Sequence, residues 1–104
     1  MPEIAHIVKV TAADGKRDEA VSALSRLVDA TESEPGTLEY ALYADTSDAV
    51  TIWLTELYAD EAALDAHMSS AAMAEIAGTL GALLDGPADV RRLEIVRRKG
   101  DRAR

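Results

Sequence analysis

The side chains best placed to move a proton lie in one stretch, Thr51 to Met68, TIWLTELYADEAALDAHM. Its first half alternates, so Ile52, Leu54, Glu56 and Tyr58 share one face of an extended strand, while Thr51, Trp53, Thr55 and Leu57 share the other. A carboxylate in an otherwise apolar and aromatic row needs a partner, because an unpaired buried charge is costly. His67 is the expected partner: it sits on the following helix, on one stripe with Leu64 and Met68. Imidazole changes charge near neutrality, so His67 is the candidate general base, and Glu56 would orient it or bind a substrate hydroxyl. The plain alternative is a hydrogen-bonded Glu56–His67 pair that only supports the fold. Tyr58 and Tyr40 are placed to stack on a ring or bond to it, or to fill the core. His6 faces the same side, as a structural histidine or a wall residue of the same cleft. Leu54, Leu64, Met68 and Met73 would supply its apolar lining. His6, His67 and Glu56 also match the make-up of a two-histidine, one-carboxylate iron site, but such a site needs all three to converge, and no metal is expected.

Composition removes several other chemistries. The chain has no cysteine, which excludes disulfides, thiolate nucleophiles and cysteine-held metal or iron–sulfur centres. Its glycines are scattered and none forms the G-x-G-x-x-G pattern of a dinucleotide site, so no flavin, nicotinamide or other cofactor is expected. A net charge of −8 disfavours nucleic acid as a partner. No apolar run approaches the roughly 18 residues of a membrane span, and no leader peptide is visible, so the expected location is the cytoplasm. With 104 residues the chain is expected to form one domain, residues 1–96. The basic tail, residues 97–104, RRKGDRAR, is expected to be a frayed solubilising end.

The elements that must hold these residues follow from patterning. Ile4 to Thr11 alternates as a strand with two largely apolar faces. A helix is expected from Lys16 to Glu34, with Val21, Leu24, Leu27, Val28 and Thr31 inward and a solvated face including Arg17, until Pro35-Gly36 stops it. Thr37 to Ala44 and Thr51 to Tyr58 flank a polar turn and read as a hairpin. Asp60 caps the helix of His67. A second helical piece runs from Ala71 to Leu84, weakened by Gly78 and Gly81, and Val90 to Val96 is the last strand. The order β-α-β-β-α-β predicts an α+β, ferredoxin-like fold, a four-stranded antiparallel sheet with helices on one face. Trp53, Leu57 and Tyr43, with Ala41, Ile7 and Ala5, would point from the bare face, and a second copy is the simplest cover, giving a homodimer.

Two segments, EPGTLEYALY (Glu34 to Tyr43) and WLTELYADEAALDAHMSS (Trp53 to Ser70), carry a resemblance to a family. With an acid two residues before an aromatic (Glu56, Tyr58), a turn, Ala63-Leu64 and His67, residues 4–96 resemble the antibiotic biosynthesis monooxygenase domain of the dimeric α+β barrels. The resemblance implies cofactor-independent oxygenation of a small quinol or polyphenol by O₂. Once deprotonated, an electron-rich ring can give an electron to O₂ itself, and the protein need only bind it, take the proton and exclude water. The family also holds haem degraders and a signalling-sugar isomerase. Where many members carry Ser/Thr-Pro-His after the first histidine, this chain has Ser70-Ala71-Ala72. Haem degraders place Asn, Trp and His where Val8, His67 and Ala77 stand, and anthrone-type members place Asn where Leu54 stands, so neither pattern is met. The alternatives are an acid–base isomerase using Glu56 and His67, or a small-molecule binding domain without catalysis.

Overall fold

The computed structural model describes residues 2–101. Four strands, β1 (Ile4–Thr11), β2 (Thr37–Ala44), β3 (Thr51–Tyr58) and β4 (Asp89–Leu93), form one antiparallel sheet in the order β2-β3-β1-β4. Helix α1 (Arg17–Ala30) connects β1 to β2, and α2 (Glu61–Met68) and α3 (Ala71–Leu80) connect β3 to β4. This is the ferredoxin-like α+β arrangement. No helix among the described residues is long and apolar enough to cross a membrane.

Strand alternation builds the core. Val8 and Val10 of β1 and Ile52 and Leu54 of β3 turn the same way and meet Ala20, Leu24 and Leu27 of α1 and Ile76 of α3. Complete burial of a side chain such as Ile52, fully out of solvent here, stabilises the fold by roughly 1.5–3 kcal/mol. The same register sets a polar row across the sheet: Tyr40 opposite Glu56, Glu56 opposite His6, and His6 opposite Arg92.

Four expectations change. First, α1 ends at Ala30 and a 3₁₀ turn covers Thr31–Ser33. The Thr31 and Ser33 hydroxyls donate to the carbonyls of Val28 and Ala30, at 2.6 and 3.0 Å, competing with helical bonds. Second, α3 stops at Leu80, before Gly81, and Leu84 forms a lone bridge with Ala12. Third, β4 ends at Leu93, opposite Ala5, because β1 offers almost nothing further to pair with. In the basic tail, Arg98 pairs with Glu3 at 3.0 Å and its amide donates to Asp101 at 3.1 Å; residues 102–104 lie outside the described residues. Fourth, Arg17 is not merely solvated. Its guanidinium donates to the carbonyls of Asp45, Asp48 and Thr51 at 3.0, 2.8 and 3.3 Å, stapling α1 to the β2–β3 turn.

That turn is also held from within. Asp48 accepts from the Val50 and Thr51 amides and the Thr51 hydroxyl. Asp45 accepts from the Ser47 hydroxyl and amide and from the Trp53 indole N–H at 2.8 Å. The Ser47 hydroxyl and the Trp53 indole hold the Asp45 carboxyl down at about 2. Trp53 lies on the helix-free face, next to Tyr43, whose hydroxyl meets that of Thr55 at 3.1 Å.

Candidate active site

Glu56 is the centre of the site. Its Oε1 accepts a 2.6 Å hydrogen bond from the Tyr58 hydroxyl and lies 3.5 Å from His6 Nδ1. Tyr40 faces Glu56 across the β2–β3 pairing. Burial, and then the charge of Glu56, push the Tyr40 hydroxyl well above the ordinary phenol range. Burial and the bond to Glu56 do the same to Tyr58. Both therefore stay protonated, and the Tyr58 hydroxyl gives the carboxylate, whose side chain is 9% exposed, a hydrogen-bond partner in its buried setting.

A cavity of about 430 Å³ opens in front of this group, within the range of small-molecule sites. His6, Glu56 and Tyr40 form its polar end. Leu54 of β3, Leu64 of α2 and Met73 of α3 line the walls with Leu24 and Leu27 of α1. Met68 and Val90 also line it while being 57% and 52% exposed, which marks the mouth between α2 and β4. The arrangement can hold a flat apolar molecule and offer one carboxylate to a hydroxyl at its closed end.

Two expected site residues stand behind the wall rather than on it. Tyr58 is fully buried and reaches the site only through its hydroxyl on Glu56. His67, 1% exposed, does not pair with Glu56. Its Nδ1 lies 2.8 Å from Oε1 of Glu34. A carboxylate only accepts, so Nδ1 carries the hydrogen. The His67 ring packs against the rings of Tyr40 and Tyr58, at centroid distances of 4.9 and 5.4 Å. Its Nε2 is buried with no hydrogen-bond partner among the described residues. His67 is thus paired with Glu34, and the histidine beside Glu56 is His6. His6, His67 and Glu56 do not converge, and no group of three metal-ligating side chains forms among the described residues.

Glu34 is the residue that periodicity missed. It follows the 3₁₀ turn and precedes Pro35, where it reads as the end of a surface helix. Its Oε1 also accepts from the Thr37 hydroxyl at 2.8 Å. Gly36 explains the encounter with α2: a Cβ there would come 2.5 Å from Cβ of Ala63. Only glycine lets α2 lie this close to the loop that carries Glu34. The signal was present, since Glu34 opens the EPG segment, but its partner was not.

Residues 3–78 match the antibiotic biosynthesis monooxygenase family. The chain belongs to this family. Solved structures share the fold of this monooxygenase-family chain. A Pseudomonas aeruginosa protein aligns at 26% identity and a TM-score of 0.87, over 93% of this chain and 97% of its own. A Mycobacterium tuberculosis protein aligns at 24% identity and a TM-score of 0.85, over 94% and 99%. A solved antibiotic biosynthesis monooxygenase aligns at 23% identity and a TM-score of 0.83, over 90% and 99%. No curated protein sequence matches the chain.

Proposed function

We propose that this family member binds a small, flat hydroxy-aromatic compound, a quinol or polyphenol, and oxygenates it with O₂ as sole oxidant. The observation that carries the reading is Glu56: a carboxylate held by the Tyr58 hydroxyl, with His6 and Tyr40 beside it, at the polar end of an otherwise apolar cavity. In this reading the substrate hydroxyl docks on Glu56, which takes its proton, and His6 is close enough to share it. The anion gives one electron to O₂ and the two radicals join, forming a carbon–oxygen bond at a ring C–H. The peroxide then loses water: one oxygen atom stays as a carbonyl, the other leaves as H₂O. Two hydrogens and four electrons come from the substrate, so no separate reductant enters. Tyr40, Leu54, Leu64 and Met73 would hold the ring, and Met68 would border its entry.

A second reading has an observation of its own. Glu56 and His6, 3.5 Å apart, could pass one proton between two positions of a substrate and isomerise it without O₂. Turnover under ¹⁸O₂ separates the two. The oxygenase reading expects one labelled oxygen in the product and one in water. An unlabelled product of unchanged mass would replace it with the isomerase.

We also infer that a second copy covers the helix-free face. Support comes from Trp53, Tyr43 and Leu93 gathered there by register, with Tyr43 and Leu93 about half exposed; Leu57, on the same face, is already buried within the chain. The two sheets would then face each other about a two-fold axis, as in a dimeric α+β barrel.

A further inference from the structure

The Glu34–His67 pair is a buried titratable group that the mechanism above does not use. Its components are tied to the site all the same. Glu34 fixes the His67 ring through a 2.8 Å bond, and that ring rests on Tyr40 and Tyr58. The Tyr58 hydroxyl donates to Glu56, and Tyr40 stands opposite Glu56 in the β2–β3 register. Tyr40 also forms part of the wall between the cavity and an outer cleft lined by Glu34 and Thr37, so its ring must stay in place for the cavity to remain closed on that side. Thr37 donates to the same Glu34 oxygen, which fixes the carboxylate as well.

We propose that Glu34 and His67 are positioning residues: a two-residue clamp that sets the Tyr40 and Tyr58 rings and, through the Tyr58 hydroxyl, the orientation of the Glu56 carboxylate. In this clamp Nδ1 anchors the ring and its faces do the packing. The titratable groups around the imidazole are Glu34, Tyr40 and Tyr58, with Glu56 beyond the Tyr58 hydroxyl and His6 edge-on to Tyr58 at 5.7 Å. The clamp rests on the proposed function only for its consequence in catalysis, and its test does not require turnover.

The test is a spectrophotometric tyrosine titration of the folded protein, paired with the affinity for 2-naphthol as a fluorescent hydroxy-aromatic probe. In wild type, Tyr40 and Tyr58 should resist ionisation at pH 10. Glu34→Ala should free at least Tyr40, adding one tyrosine to the fraction that ionises near pH 10, and should weaken 2-naphthol binding roughly tenfold, the order expected for one lost buried hydrogen bond to a charged group. Glu34→Gln keeps an acceptor for the imidazole N–H and should restore both readouts towards wild type. A Glu34→Ala protein that melts lower, yet shows the wild-type tyrosine count and probe affinity while folded, overturns the proposal and leaves the pair a simple prop. Should Glu34→Ala not fold, ring dynamics in the wild type decide: clamped rings give separate NMR signals for the two edges of Tyr40, and fast averaging overturns the clamp. If wild type binds no 2-naphthol, the reading of the cavity is in doubt, while the titration still judges the clamp.

Discussion

The proposed chemistry centres on Glu56, the carboxylate that lines the cavity, while His67 lies behind its wall. A buried carboxylate is costly alone, and this one is held by Tyr58 at 2.6 Å, with His6 and Tyr40 alongside. The tyrosines are acids kept from ionising, first by burial and then by Glu56. Their folded values lie above the ordinary 10.0, so the unfolded chain loses these protons first as pH rises. The stability they contribute is complete below about pH 10 and declines above it, by up to about 1.4 kcal/mol per pH unit for each tyrosine. Tyr40→Phe removes one such group. Denaturant unfolding followed from pH 9 to 11 should therefore show a shallower decline in this variant than in wild type. Equal slopes would mean that Tyr40 is not held as described.

Elements were legible where local chemistry decides them. Alternation placed β3 correctly, Asp60 caps α2 by accepting from the Ala63 amide at 2.9 Å, and the paired turn residues Asp45 and Asp48 mark the hairpin. The misreadings are tertiary. Arg17 looks solvated on a helical wheel because nothing nearby in sequence says that three carbonyls of a distant turn need a donor. Glu34 and His67 sit in unrelated segments, and only the close approach of α2 to the Gly36 loop joins them. The sequence did supply the cavity lining, Leu54, Leu64, Met68 and Met73, since strand and helix periodicity already select that side. Gly36→Ala tests the approach of α2. A Cβ 2.5 Å from Ala63 forces backbone to shift, and overpacking of this kind costs about 1–3 kcal/mol. Chemical denaturation should show that loss; a neutral substitution would show that the loop and α2 separate freely.

At the scale of the whole molecule, a four-stranded sheet carries its helices on one side, and one face is left with Trp53 and Tyr43. If a second copy covers that face, Trp53→Glu places a charge in an apolar interface and removes the indole bond to Asp45. Sedimentation should find wild-type dimer and a dissociated or unfolded variant; a monomeric wild type would end the dimer reading. The central claim concerns the other side of the sheet, where the cavity meets Glu56. The most direct measurement is oxygen consumption with a panel of quinols and polyphenols, comparing wild type with Glu56→Gln. With an accepted substrate, wild type should consume one O₂ per substrate molecule, and Glu56→Gln should be slower by roughly 10²–10⁴-fold, the usual contribution of a general base. Oxygen uptake that proceeds equally fast in Glu56→Gln would contradict the account.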